Sequence, residues 1–109
     1  MLATHELYNI TNIWKYLRSR NQGQVFFGCD TLDNKVIITG GSHDINLLVG
    51  ISDTVLYNAI DNSWTSCANM NSGRYNHTQT ILKNGDILVI GGIKDTDAIN
   101  SCELLSASN

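Results

Sequence analysis

The feature that most constrains the fold of this chain is an apolar run followed by two glycines, and it occurs twice. Val-Ile-Ile-Thr-Gly-Gly ends at Gly41, and Ile-Leu-Val-Ile-Gly-Gly ends at Gly92. Each run is short and rich in β-branched residues, which favours a strand over a helix. The continuous run also suits a strand that is covered on both faces. Further landmarks recur at 49 or 50 residues: Tyr8 with Tyr57, Trp14 with Trp64, and Leu32 with Leu82.

Short apolar runs separated by turns fill the sequence between these landmarks. The chain has no proline, so Gly, Asn, Asp and Ser must form the turns. Asp33-Asn34 predicts a hairpin between residues 25–32 and 35–39, and Asn84-Gly85 predicts a type I′ hairpin between residues 75–82 and 86–90. Further strands are predicted at 4–10, 14–17, 54–59, 64–70 and 101–105, with loops at 42–53 and 93–99.

The combination of a double glycine, a tyrosine and a tryptophan at a period near 50 resembles the kelch repeat and the related galactose-oxidase-like propellers. Arg74 lies in the segment that leads into the next strand, and Gln24 stands where a second arginine would be expected. Leu105 replaces the tyrosine expected there. The matching positions are Gly40, Gly41, Tyr57 and Trp64, then Gly91 and Gly92 in the next copy, with Tyr8 and Trp14 in the preceding one.

This resemblance implies an all-β fold of antiparallel four-stranded propeller blades. The chain has room for about two blades, so we expect an incomplete, open propeller. Residues 1–21 would end one blade, 22–70 would form a complete blade, and 71–109 would form an incomplete one. Closure of a ring by self-association is expected to fit poorly, because both chain ends carry the third strand of a blade. The remaining blades are therefore expected outside this chain.

The resemblance also implies roles for the repeated side chains. Tyr57 and Trp64 are expected at the contact between neighbouring blades, since each has a large apolar face and a polar group. Arg74 is expected to donate hydrogen bonds to carbonyl groups left free by the glycine turn. His77 is expected at the start of an inner strand, bonded to the backbone.

Composition and charge argue against several classes of function. The formal net charge is −3 and the seven Lys and Arg residues are scattered, so no basic surface for nucleic acid is expected. No segment approaches the roughly 20 apolar residues of a membrane-spanning helix. Cys29, Cys67 and Cys102 lack metal-ligand spacing. They are expected to be buried or half-buried free thiols.

No set of residues predicts catalysis, so we expect no enzyme activity, no cofactor and no metal site. The expected function is a protein-interaction scaffold that binds an unnamed protein through loops at the blade ends. Ile45, Leu47 and Leu48 are the binding candidates, although the same residues would also suit a loop tucked against the blade or an extra short strand. The alternative is a fragment of a secreted galactose-oxidase-like or carbohydrate-binding propeller. Its copper chemistry would require two tyrosines, two histidines and a cysteine at one site.

Overall fold

The computed structural model describes residues 17, 19 and 23–106 of the 109-residue chain. These residues form strands and connecting turns, with no helix among them. The strands predicted at 4–10 and 14–17 fall outside this described part, except for Leu17. The strands are β1 (Gly28–Leu32), β2 (Lys35–Thr39), β3 (Thr54–Asn58), β4 (Ser63–Ser66), β5 (Thr78–Ile81), β6 (Ile87–Ile90), β7 (Ile93–Lys94), β8 (Asp97–Ala98) and β9 (Cys102–Leu105).

The first sheet contains four antiparallel strands in the order β1-β2-β3-β4. Leu32 pairs with Lys35, so the predicted two-residue hairpin at Asp33-Asn34 is confirmed. Asp33 has a φ of 55°, a left-handed conformation that aspartate tolerates better than most residues. The predicted β2 strand has the observed bounds, although only Ile37 of its central run is buried while its neighbours are half-buried.

The second sheet contains three antiparallel strands in the order β5-β6-β9. Between β6 and β9 the chain forms a separate two-stranded hairpin, in which Ile93 pairs with Ala98 and Lys94 with Asp97. The prediction of a loop at residues 93–99 was therefore wrong. Asp95 has a φ of 55°, and this left-handed residue closes a turn between strands too short and polar to show alternation.

The hairpin at Asn84-Gly85 also differs from the prediction. The Leu82 N–H donates to the Asp86 carbonyl at 2.8 Å, and the Gly85 N–H donates to the Leu82 carbonyl at 2.9 Å. Gly85 has a φ of 92°, whereas Asn84 is not among the described residues of positive φ. The type I′ prediction was wrong because the loop has three residues, and only its third needs the left-handed conformation.

The two sheets pack face to face and meet along β1 and β5. Ile37 of the first sheet and Ile87 and Val89 of the second are buried, and each buried aliphatic side chain contributes about 1.5–3 kcal/mol. Polar contacts fix the register of the packing. The Ile81 N–H donates to Asp30 Oδ2 at 2.8 Å, and the two hydrogen bonds of this carboxylate, from Ile81 and Thr31, lower the pKa of Asp30.

The expectation of an all-β chain built from antiparallel sheets is confirmed for the described residues. The number of blades, the open propeller and the division at residues 21 and 70 stay predictions. Within the part of the chain that the structure describes, no helix is present that could span a membrane.

Candidate functional site: the glycine turns and the apolar loop

Both double glycines adopt left-handed conformations directly after a strand. The φ values are 63° and 93° at Gly40 and Gly41, and 66° and 99° at Gly91 and Gly92. Such angles are costly for residues with a side chain. A Cβ atom on Gly41 would also lie 2.7 Å from the Val25 carbonyl oxygen. Glycine is therefore required there for both conformation and space.

The two turns have matching surroundings. A Cβ on Gly41 would meet the Val25 oxygen at 2.7 Å and Phe27 Cβ at 3.0 Å, whereas on Gly92 it would meet the Tyr75 oxygen at 2.7 Å and His77 Cβ at 2.9 Å. An isolated β-bridge follows each double glycine at an equivalent position: Val25 pairs with Ser42, and Tyr75 pairs with Ile93. The two copies therefore share one backbone path, and residues 25 and 27 of the first correspond to residues 75 and 77 of the second.

Arg74 links the second glycine turn to β9 and has no exposed surface. Its Nη1 donates to the Gly91 carbonyl at 3.0 Å and to the Ser101 carbonyl at 2.8 Å. Its Nη2 donates to Ser101 Oγ at 3.1 Å and to Glu103 Oε2 at 2.9 Å. The resemblance to kelch repeats led us to expect the contact with a glycine-turn carbonyl, and the structure contains it. The contacts with Ser101 and Glu103 were not expected.

Glu103 supplies the negative charge that a buried arginine requires. Its side chain is largely buried, and its carboxylate also accepts from the backbone N–H groups of Asn71 and Ser72 at 2.6 Å and 2.9 Å. Burial alone would raise the pKa of Glu103, but these hydrogen bonds and the Arg74 charge outweigh it and lower the pKa. The carboxylate therefore ties the segment that leads from the first sheet into β5 to the second sheet.

Gln24 occupies the place of Arg74 in the first copy. Its Nε2 donates to the Gly40 carbonyl, which corresponds to the Gly91 carbonyl that Arg74 contacts. Glu103 lies opposite Val89 on β6, and Val55 lies opposite Ile38 on β2. The first copy therefore has a valine at the position of the carboxylate, and its neutral glutamine needs no counter-charge.

Tyr57 and Trp64 lie opposite each other on β3 and β4. Their ring centroids are 4.9 Å apart with the planes tilted by 50°, a geometry that stabilises aromatic pairs. The Tyr57 hydroxyl donates to Asn62 Oδ1 at 2.7 Å. The pair joins two strands of one sheet, and its expected role between blades stays a prediction. Tyr8 and Trp14 lie outside the described residues.

The loop of residues 42–53 exposes an apolar surface. Ile45 and Leu47 are 61% and 68% exposed, while Leu48 is half-buried. Ser42 Oγ holds the loop together, since it accepts from the Val49 N–H at 3.2 Å and contacts the Asp44 carbonyl at 3.3 Å. The backbone is thus fixed while two of the three predicted binding residues face solvent.

A buried polar cluster between the sheets was missed at the sequence level. Gln79 Nε2 donates to the Ile37 carbonyl at 3.0 Å, and the Thr39 hydroxyl donates to Gln79 Oε1 at 2.5 Å. The hydroxyl oxygen therefore accepts from His77 Nε2, 2.8 Å away. The expectation that His77 bonds to the backbone was wrong, because the packing of the sheets brings Thr39 to its ring.

Because the Thr39 hydroxyl donates to Gln79, His77 Nε2 carries the proton that it donates to Thr39. Its Nδ1 is buried without a hydrogen-bond partner among the described residues. Burial lowers the pKa of His77 below its usual 6.5, the Arg74 charge lowers it further, and the hydrogen bond with Thr39 offsets part of this effect. Protonation would place an uncompensated charge between the sheets.

The described residues form neither a cavity of the size of a small-molecule site nor a cluster of metal ligands. A cavity of about 80 Å³ lies between the sheets, lined in part by Met70, Ile87 and Glu103. It has room for a few waters but lies far below the roughly 300–1,000 Å³ of small-molecule sites. Over the ranges that the structure covers, no three His, Cys, Asp or Glu side chains lie together in a way that could hold a metal ion.

The cysteines are free, as expected, but less buried than predicted. Cys67 is half-buried, whereas Cys29 and Cys102 are exposed. Burial, with a contribution from the Asp30 charge, still raises the pKa of Cys29, and burial raises that of Cys67. The prediction was wrong for Cys29 and Cys102 because each lies on a sheet face that no described strand covers.

Comparison with known proteins agrees with the repeat. No family model matches the chain. Kelch-like protein 6 of Homo sapiens is 36% identical over 87 residues, which are 80% of this chain but only 13% of that relative's length. The chain thus resembles a small part of a kelch-like protein over most of its own length, which agrees with the resemblance to kelch repeats.

Proposed function

We propose that this chain is a kelch-repeat scaffold segment that binds another protein through loops at the end of its sheets and catalyses no reaction of its own. The observation that carries the proposal is the loop of residues 42–53, where exposed Ile45 and Leu47 sit on a backbone fixed by Ser42. Exposed apolar side chains on a rigid support are typical of recognition surfaces. The similarity to a kelch-like protein supports the scaffold class.

The proposal includes an architecture. Residues 22–70 form one blade, residues 71–109 form an incomplete one, and the remaining blades of the propeller lie outside this chain. The face-to-face packing of the two sheets along β1 and β5 and the matching glycine turns support it. No observation on the described residues favours the alternative of a galactose-oxidase-like or carbohydrate-binding protein.

A double variant tests the binding loop. Leu47→Ser with Leu48→Ser removes apolar surface from the loop, while Ile60→Ser removes it from a turn elsewhere, where Ile60 is 76% exposed. Affinity capture with quantitative mass spectrometry should show proteins retained by the wild-type chain and by Ile60→Ser but reduced at least about tenfold by the double variant, since hot-spot residues contribute 2 kcal/mol or more. Equal capture by all three proteins would refute the loop as the binding surface.

A further inference from the structure

The second sheet has one face that the described chain leaves uncovered. Residues directly opposite each other in an antiparallel pair share a face, and Ile90 lies opposite Thr78 and Cys102. Ile90 is 45% exposed and Leu104 is 54% exposed. We call this the open face; its members are Thr78, Thr80, Leu88, Ile90, Cys102 and Leu104.

The corresponding face of the first sheet is covered, and the repeat shows how. Thr39 directly precedes the first double glycine, and Ile90 directly precedes the second, so the two residues are equivalent. Thr39 is buried, whereas Ile90 is exposed. The second sheet covers Thr39 through His77 and Gln79, which both contact the Thr39 hydroxyl. The packing of the second sheet on the first therefore shows how a face equivalent to the open face is covered.

The covering side chains have counterparts in the first copy that are exposed. Phe27 corresponds to His77, as the surroundings of the two glycine turns show. Cys29 corresponds to Gln79, because they lie opposite Ile38 and Val89 on equivalent strands. Phe27 is 43% exposed and Cys29 is exposed.

The residues that differ between the two copies of the repeat match in polarity, both in the observed contact between the sheets and in a contact between the open face and a second molecule. In the covered interface, the polar Thr39 meets the polar His77 and Gln79. If a second molecule packed its first sheet on the open face in the same way, the apolar Ile90 would meet Phe27 and the small, weakly polar Cys29. Polar thus matches polar in one case and apolar matches apolar in the other.

A backbone group points to the same arrangement. The Gly41 N–H donates to the Arg74 carbonyl at 2.8 Å. The corresponding Gly92 N–H has no partner among the described residues. In the same packing it would meet the carbonyl of Gln24 from the second molecule, because Gln24 corresponds to Arg74.

We propose that the open face docks the first sheet of a second copy of this chain, in a head-to-tail contact that repeats the packing between the chain's own two sheets. The contact does not need a closed ring, so the matching strands at the two chain ends do not prevent it. A head-to-tail contact generates rings or open chains, so a series of oligomers is expected. The proposal rests on the blade interpretation, with a second copy of the chain supplying the neighbouring blade that the proposed function places outside this chain, and it does not rest on partner binding by the loop.

Complementary variants provide the test. Light scattering after size exclusion should show the wild-type mass rising with concentration above the 12.0 kDa of one chain. Ile90→Lys blocks the open face and Phe27→Glu blocks the opposite one, so each alone should remain a monomer. An equimolar mixture retains one intact face of each kind and should form a dimer of twice the chain mass.

Further variants keep the test decisive. Ile90→Thr introduces the residue of the equivalent position, so it should fold and still weaken association about tenfold, given the apolar area removed. Ile60→Lys lies outside both faces and should associate like the wild type. A wild-type mass that stays at 12.0 kDa at every concentration would overturn the proposal, and so would a mixture that stays monomeric. Loss of partner capture by the loop variant would leave these masses unchanged.

Discussion

The two glycine turns share a backbone but differ in the side chain that braces them. Gln24 contacts the first turn through the Gly40 carbonyl. Arg74 contacts the Gly91 carbonyl and also reaches Ser101, directly before β9, and Glu103 on β9. The comparison teaches that the glycines set the path of the chain, while the bracing residue decides how firmly the turn is tied to the rest of the sheet.

Electrostatics explain why the bracing residues differ. A buried arginine requires a carboxylate, and only the second copy has one, at Glu103. Where Val55 takes that position, a charged side chain at residue 24 would lack compensation, and a neutral amide satisfies the glycine carbonyl alone.

Removal of the carboxylate should be the most damaging change. Glu103→Ala leaves the fully buried Arg74 without a counter-charge, so we expect a loss of about 3–5 kcal/mol in the free energy of unfolding. Glu103→Gln keeps a hydrogen-bond acceptor and should cost less. Asp97→Ala, at an exposed carboxylate, is the control. Urea denaturation measures all three, and a loss below about 1 kcal/mol for Glu103→Ala would mean that Arg74 is solvated.

Alanine in place of the first glycine of each pair, Gly40 or Gly91, should lower the free energy of unfolding by different amounts. Both positions need a left-handed φ, which costs about 1–2 kcal/mol with a side chain. At Gly40 the new Cβ would also collide with the Arg74 carbonyl and with His77 Cε1 at 2.7 Å, whereas at Gly91 the nearest atom is the Ile99 oxygen at 3.5 Å.

Thermal denaturation should therefore show that Gly40→Ala is the more destabilising by about 1–3 kcal/mol, the range of over-packed sites. Equal losses for Gly40→Ala and Gly91→Ala would contradict the packing of the second sheet over the first turn.

Exchange of the bracing residues tests the electrostatic explanation. Gln24→Arg places a charge beside Val55 and should cost about 1–3 kcal/mol. A double variant, Gln24→Arg with Val55→Glu, recreates the pair of the second copy and should recover at least about 0.5 kcal/mol as a coupling energy. A double-mutant cycle measured by urea denaturation gives this value, and a coupling of zero would show that the two positions do not meet.

The smallest expected effect is a pH dependence of the free energy of unfolding, which arises from His77 in the second copy of the repeat. His77 has a lowered pKa in the folded state, so the unfolded chain binds a proton more readily. Stability is therefore full above the usual pKa of 6.5 and falls as the pH drops from there toward the lower folded value.

Denaturation at several pH values should show this loss in the wild type and not in His77→Gln. The window ends near the usual pKa of Glu103, 4.5, because the lowered pKa of that carboxyl adds its own loss of stability at more acid pH. Identical pH profiles for the two proteins above that limit would show that His77 is not buried as a neutral ring.

Sequence patterns predicted the features that local chemistry dictates. The double glycines, the Asp33-Asn34 turn and the strand pattern follow from residue type and spacing. The glycine contact of Arg74 was expected from the resemblance to kelch repeats and not from residue type or spacing.

Features that depend on packing between distant segments were not predictable. Glu103 becomes the partner of Arg74 only because β9 joins β6, and His77 meets Thr39 only because the sheets stack. The exposure of Cys29 and Cys102 likewise depends on which faces are covered, and no property of a lone cysteine reveals that. The β7–β8 hairpin was missed because its strands are too short to show a pattern.

The central claim is that two copies of one sheet-forming unit pack face to face in a single register. Nuclear Overhauser effects in the folded protein test it most directly. The account predicts cross-peaks between the His77 ring and the Thr39 side chain, which lie in hydrogen-bond contact at 2.8 Å. A folded protein that shows both hairpins but no such cross-peaks would contradict it.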